Sequence, residues 1–496
     1  MTVPDIRLRP LNDHDVRPEG EHVVYWMTSF RRTRFNHSLD RAVELARRFE
    51  RPLIVLEALR TGYRWASDRL HRFAIDGMAD NRAAFRGTGI AYHPYVEPEE
   101  GAGKGLLEAL AEQACVVVTD DFPSFFLPRM QHAAAQKVDV RMEAVDGNGL
   151  YPMRATPKVF ARAVDLRRHL QKNLPEHLND RPTADPLKKH GLPELDAIPA
   201  AIAERWPAAS EDLLKGAPEA LAALPIDHRV SVVEMRGGQK AAYDRLASFV
   251  DNRLDAYGEG RNHPDEDAAS GLSPYLHWGH ISPHEVFWTI ARREDWSPER
   301  LSSKASGSRE GWWNMSGAAE SFLDELITWR ELGYNMSSHR DDYDELSSLP
   351  DWAHRTMAEH AEDERPYIYD LDTFEGAETH DDIWNAAQRE LVRTGRMHNY
   401  LRMLWGKKIY EWSATPQDAL EVMIELNNKY ALDGRNPNSY SGIFWVLGRY
   451  DRAWGPERPI FGKLRYMTSD STRRKLKLKG YLETYGEGSQ GDLFAG

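Results

Sequence analysis

The chain has 496 residues, 41% hydrophobic and 28% charged, with a formal net charge of −13, 15 Trp and a single Cys. That length is too great for one ordinary core and implies two domains, and the composition excludes a disordered chain. The acidic balance argues against a protein that coats nucleic acid indiscriminately. No run reaches the ~18 apolar residues of a membrane span, and the first thirty residues lack an apolar signal core, so a cytoplasmic protein without membrane contact is expected.

From residue 22 short apolar runs alternate with helical stretches: HVVYWM, NHSLDRAVELARRFE, RPLIVLEAL, SDRLHRFAIDGMADNRAAF, GIAYHPYV, KGLLEALAEQ and ACVVVTDD. Strand then helix, repeated, predicts a doubly wound α/β domain with a parallel sheet over 22–150. No GxGxxG follows its first strand, so the usual dinucleotide fingerprint is missing. Cys115, in ACVVV, has no partner for a disulfide or a cysteine zinc site and is expected to pack in a strand; no metal site is expected. Residues 171–230, rich in Pro and charge, read as an inter-domain crossing. Beyond 235 the apolar stripes are helical, at 239–254, 318–334 and 384–412, so the second half reads as a large α domain. Turn-rich DGRNPNSYSG interrupts it.

Twelve of the 15 Trp lie between 278 and 454. Trp405 and Trp412, seven apart, return to nearly one helix face roughly 10 Å apart along the axis, a spacing that suits either core anchors or electron hopping between rings. In GRMHNYLRMLW (395–405), His398, Arg402 and Trp405 lie at i, i+4 and i+7, joining a proton carrier, a fixed cation and an aromatic ring on one face. Asp433, in the later ALDGRNPN turn, is a candidate partner for Arg402. Residues 449–481 hold ten Lys/Arg, Arg465 among them, against three acids, a local basic patch on an acidic body suited to gripping phosphates at one place.

ASGLSPYLHWGHIS (269–282), FLDELITWREL (322–332), IWNAAQRELVRTGRMHNYLRMLWGKKIYEW (383–412), LNNKYALDGRNPNSYSGIFW (426–445) and ERPIFGKLRYM (457–467) together resemble the photolyase/cryptochrome family, and within it the class II cyclobutane pyrimidine dimer photolyases. The resemblance implies an α/β plus all-α fold. An N-terminal doubly wound, Rossmann-like antenna domain would span 1–160, a long linker 161–234, a helical FAD-binding catalytic domain 235–484 and a tail 485–496.

It further implies reduced FAD as the redox cofactor. Tyr257, Ser270, Gly271, Leu272 and Ser273 would sit at its phosphates and ribitol, Arg402, Asp433 and Gly434 would face the flavin, and Asn427 would contact its N5. Trp405, Trp384 and Trp412, in that order outward, would form the electron-transfer triad. Glu325, Trp329, Asn399, Met403, Trp445 and Arg465 would bind the dimer. If Glu325 donates to a thymine carbonyl it must be protonated, which requires burial. The partner would be ultraviolet-damaged DNA, bound by a monomer with the lesion flipped out. Met403 in place of a second lesion-side histidine favours cyclobutane dimers over 6-4 products.

Three departures accompany the resemblance: Asn399 where the class has glycine, Asn428 where it has aspartate, and SFRRTRFN (29–36) near the antenna crevice. The antenna implied is 8-hydroxydeazaflavin ahead of folate, with no antenna as the alternative. The rival reading is a cryptochrome-like blue-light photoreceptor without repair, disfavoured by the intact dimer-pocket residues and the lack of a long C-terminal extension. A flavin-binding structural protein would leave the triad and the basic patch without a role.

Overall fold

The computed structural model describes residues 2–488. The chain divides into two compact units, the first comprising residues up to Pro157, Leu170–Val250 and Gly271–Leu301, the second Lys158–His169, Asp251–Ser270 and the described residues from Ser302 onward.

The first unit is built on strands β1 (Leu8–Pro10), β2 (His22–Met27), β3 (Leu53–Leu59), β4 (Ala91–Val96), β5 (Ala114–Asp120) and β6 (Met142–Val145), in the spatial order β1-β6-β5-β2-β3-β4. β2 pairs in parallel with both β3 and β5, and only the edge strand β1 runs antiparallel. The continuous apolar runs of β2 and β5 follow from this: every residue of both strands is buried. Val23, Tyr25 and Met27 join a core with Leu39, Val43 and Ala46 of helix α1 (His37–Phe49), while Val24 and Trp26 face Leu106, Leu107 and Leu110 on the other side. Cys115 is a free, buried cysteine in the first of these cores.

The proline-rich segment read as a crossing lies against this layer. Leu213, Leu214, Leu221 and Leu224 bury themselves with Leu59, Ala74, Ile75, Met78 and Val96, so its sparse leucines supply apolar contact that its charge content conceals. Helix Gln239–Asn252 also falls largely within this unit.

The second unit is helical. α2 runs from Gly317 to His339, with a π-helical turn at Asp324–Trp329 between two α-helical segments. α3 (Asp382–Thr394), α4 (Asn399–Trp412), α5 (Pro416–Tyr430) and α6 (Pro437–Val446) follow, and α7 (Lys479–Tyr485) closes the described chain. Prolines at the first turns of α5 and α6, with the Thr415–Asp418 capping box and the Asn436 cap, fix where these two begin. The tail expected at 485–496 lies mostly outside the described residues. Among the described residues no helix is long and apolar enough to cross a membrane, and no cluster of His, Cys, Asp and Glu could hold a metal ion.

Candidate functional site

The sequence reading of 384–412 as one helical stripe needs correction. Gly395, at φ 71°, takes the left-handed conformation that ends α3, and α4 begins only at Asn399. His398 is therefore the cap residue of α4 rather than a member of its face. Its main-chain N–H donates to Glu390 Oε2 (3.0 Å) and its carbonyl receives the Arg402 N–H (2.8 Å). Burial holds the imidazole down at about 4, so the ring is neutral near pH 7 and does not act as a charged proton carrier. Its Nδ1 is buried without a partner.

The break turns α3 back along α4, and the tryptophans meet there. Trp384 and Trp405 stack with planes 4° apart and centroids at 6.5 Å, and Trp384 meets Trp412 at 6.0 Å. The rings are locked as well as packed: Trp384 Nε1 donates to the Trp405 carbonyl (3.0 Å), and Trp405 Nε1 to Gln388 Oε1 (2.9 Å). All three are at most 2% exposed. Trp384 thus lies between the two rings of α4. Gln388, four residues after Trp384 and so on the same face of α3, was not singled out by the sequence.

Arg402 reaches Asp433 (3.2 Å), both half-buried. Asn427, buried on α5, donates from Nδ2 to Ser439 Oγ (2.7 Å) and to Asn428 Oδ1 (3.1 Å). The orientation follows from a third bond: Asn428 Oδ1 also accepts the Arg435 N–H (2.8 Å), so it must be the oxygen, and Asn427 must present nitrogen to it. Both amide hydrogens of Asn427 are then spent, and its side-chain oxygen accepts no hydrogen bond from the described residues of the protein. Asn428 does here what an aspartate oxygen would do, and its Nδ2 adds a bond to Tyr440 (3.3 Å). Gly434 packs against α5 so closely that a Cβ would stand 2.7 Å from the Asn427 carbonyl.

Glu325 and Trp329 sit in the π turn of α2, where an inserted residue widens the helix. The turn is anchored by Asp324, buried and held by Arg167 at 2.7 and 2.9 Å. Glu325 accepts from Arg261, which also lies over the Tyr257 ring at 5.5 Å. The Glu325 side chain is 32% exposed and paired to the Arg261 guanidinium, so the structure presents it as an acceptor. Arg261 is a residue the sequence reading missed; its only sequence mark is its place four after Tyr257. Gly333, one turn beyond Trp329, lets α2 approach Pro437 and Ser441 of α6. Met403 of α4 faces Gly442 of α6, and Trp445, half-buried, has Lys407 Nζ at 5.5 Å and Arg465 Cζ at 5.2 Å from its ring. No hydrogen bond or ring contact links Glu325 or Trp329 directly to Met403 or Trp445. Asn399 is exposed at the start of α4.

The second unit thus holds a buried row of three indoles, a half-buried Arg402–Asp433 pair and an Asn427 amide whose hydrogens are both engaged. No protein-family model matches the chain. A deoxyribodipyrimidine photo-lyase of Methanothermobacter thermautotrophicus is 34% identical over 478 residues, 96% of this chain and 97% of that protein. This chain belongs to the photolyase/cryptochrome family. Solved structures share the fold: a bacterial class III photolyase from Agrobacterium tumefaciens (TM-score 0.66, 18% identity, 94% of this chain and 86% of that one). An archaeal photolyase from Sulfolobus tokodaii, described with two FAD molecules, matches at TM-score 0.60 and 13% identity over 91% of this chain and 87% of that one.

In this photolyase-family enzyme, two segments singled out in the sequence gain partners of their own. The basic segment 449–481 is mostly engaged: Lys463, Arg465, Arg473, Lys477 and Lys479 pair with Glu457, Asp451, Asp382, Glu266 and Glu483, and Arg449 is buried against Ser348 and the Tyr343 carbonyl. Among the described residues Arg452, Arg458, Arg474 and Lys475 carry no ion pair. SFRRTRFN is a structural clasp within the first unit. Asp120 accepts the N–H groups of Thr28, Ser29 and Phe30 (2.9, 2.7 and 2.8 Å), Arg31 pairs with buried Glu57, and Arg32 donates to the Gly279 carbonyl (3.0 Å).

The residues expected at the FAD phosphates divide between the units. Tyr257, buried with its phenol pushed up by burial, and Ser270 belong to the second. Gly271 (φ 66°, against Arg245), Leu272 and Ser273, which opens the short helix Ser273–His277, belong to the first.

Proposed function

We propose that the chain splits cyclobutane pyrimidine dimers in ultraviolet-damaged DNA, driven by light, with reduced FAD held by its helical unit. The observation that carries this is the Trp405–Trp384–Trp412 row, whose ring-to-ring contacts suit stepwise electron transfer toward a chromophore at Arg402 and Asn427. The groups present fit a flavin: the unengaged Asn427 oxygen is an acceptor for a ring N–H, His398 Nδ1 is a second acceptor, and Arg402, steadied by Asp433, balances negative charge. Tyr257, Ser270 and Gly434, all of the second unit, are assigned to the same cofactor. When bound, FAD supplies the photoexcited electron that opens the dimer and recovers it afterwards.

The remaining roles belong to the protein. Trp329 and Trp445 give flat apolar contact to unstacked pyrimidines and Met403 an adaptable one. Glu325, held as an acceptor by Arg261, receives an imide N–H rather than donating to a carbonyl. Asn399 and Arg465 border the lesion, and Arg452, Arg458, Arg474 and Lys475 take the flanking phosphates. Photolyases are among the enzymes that act on bases taken out of the stack. An antenna, if 8-hydroxydeazaflavin ahead of folate, would be held by ring contacts, because Asp120 already occupies the amides at the sheet's switch point.

Purified protein should show a flavin spectrum and, once reduced, should remove thymine dimers from ultraviolet-treated DNA under blue light and not in the dark. Dimers that persist under blue light with reduced FAD bound would overturn repair in favour of photoreception.

A further inference from the structure

The two inner rings of the row share a feature that packing does not require. A buried indole N–H needs an acceptor, and a carboxylate or an imidazole would satisfy it as well as an amide. Trp405 Nε1 gives its hydrogen to Gln388 Oε1 (2.9 Å), and Trp384 Nε1 gives its own to the Trp405 main-chain carbonyl (3.0 Å). Both acceptors are uncharged amide oxygens. Gln388 is 0% exposed, and its direction is fixed from the far end: Nε2 donates to the main-chain carbonyl of Glu375 (3.4 Å), which turns the side-chain oxygen to Trp405. The carboxylate of that anchoring residue points elsewhere. Glu375 Oε1 accepts from Lys429 Nζ and from the Tyr430 phenol, so Gln388 meets the peptide of Glu375 and not its charge. Among the described residues, no carboxylate or imidazole is hydrogen-bonded to either inner indole.

We propose that Gln388 is a positioning residue that keeps the oxidised Trp405 ring protonated, so that the hole moves outward by electron transfer alone. The oxidant is a photoexcited, oxidised flavin that takes one electron from Trp405, so the inference rests on the reading above. An indole that has lost an electron is far more acidic than before, and its N–H proton leaves to a base in contact with it. An amide oxygen is too weak a base to take that proton. Trp405 therefore keeps its hydrogen, one electron crosses from Trp384 through the parallel stack, and Trp405 is restored with its N–H bond unbroken. The same holds one ring outward, where Trp384 donates to a main-chain carbonyl. A carboxylate at position 388 would do the opposite: the proton would cross to it and leave a neutral indolyl radical, whose refilling needs the proton back as well as an electron.

The test is flash-induced transient absorption on the full-length protein with its flavin oxidised, which separates protonated from neutral tryptophanyl radicals. In the wild type the inner rings should show the protonated form, and inner transfer should run at the same rate in H2O and D2O. Gln388→Glu keeps the shape, and its protonated carboxyl mimics the amide, so the variant should match the wild type at the acid end. As the buried carboxyl ionises between about pH 6 and about pH 10, the neutral radical should form about a hundredfold faster than in the wild type, and outward transfer should fail. Gln388→Met, which removes the acceptor and adds no base, should keep outward transfer. A Gln388→Glu profile that follows the wild type over that whole range, or a wild-type inner transfer slowed in D2O, overturns the proposal and leaves the photoreduction reading standing. Failure of outward transfer in Gln388→Met would reduce Gln388 to a packing role and overturns it equally. Absence of any light-induced tryptophanyl radical in the wild type overturns both.

Discussion

Asn427 shows how a single side chain acquires a direction. Its amide could face a ligand with either end, but Arg435, buried and at φ 63°, gives its N–H to Asn428, and the chain of donors leaves Asn427 presenting oxygen. On the proposed reading, an acceptor there would favour a flavin that carries hydrogen at the facing nitrogen. In Asn427→Ala the reduced flavin should oxidise in air about two- to tenfold faster, the worth of one hydrogen bond, as followed by the return of the oxidised absorption band. An unchanged rate would place the flavin edge elsewhere. Lys407 is the opposite case, a charge in the wrong solvent. It is fully buried, donates to the Val446 carbonyl, and burial pulls its amine down to about 7 from 10.5. Between those values the unfolded chain binds a proton that the folded chain does not, so this residue makes stability rise with pH through that window. Lys407→Met should raise stability at pH 7 by roughly 1–3 kcal/mol and flatten that rise, measured by urea unfolding at several pH values.

At the scale of elements, the site depends on how helices are interrupted. Gly395 separates α3 from α4 so that Trp384 can lie between rings that are seven residues apart in sequence, and the π turn of α2 sets Glu325 opposite Arg261. The helices themselves were legible from their stripes, and the three indoles from resemblance to a family. The stacking order in space depends on α3 packing on α4, which no periodicity contains. Arg261 was illegible for the same reason: its partner is 64 residues away and is presented by a turn that propensity does not reveal. Likewise β2, β3 and β5 announced themselves because both faces are covered, whereas β1, three residues ending in Pro10, has too little pattern to read. If the row is the path for photoreduction, Trp384→Phe should abolish light-driven reduction of the flavin, while chemically reduced enzyme should keep normal repair. Repair lost in both preparations would instead show that the substitution disturbs the site itself.

Across the whole molecule, burial of polar groups that must stay neutral sets how the protein answers to acid. His71 and His398 are held at about 4, His280 at about 3, and His37 well below 6.5, in each case first by burial. Each folded value lies below the unfolded one, so their contribution is complete above 6.5 and is lost as pH falls toward the folded values, where the unfolded chain holds protons the folded chain refuses. Buried carboxyls work the other way. Burial raises Asp40 to about 6, and Glu390, Glu285 and Asp80 are raised too, so below about 6 their protonation in the folded state offsets part of the loss. The histidines act alone only in the narrow interval just under 6.5. The urea midpoint, already falling between about pH 10.5 and 7 through Lys407, should therefore fall more steeply as pH passes below about 6.5 and less steeply below about 6, with a loss of up to about 1.4 kcal/mol per pH unit for each histidine. Replacing His280 by Asn, which keeps an acceptor for the Gly238 N–H, should remove one histidine's share of that slope. A midpoint independent of pH between about 7.5 and 5.5 would mean that these rings become charged without opening the fold.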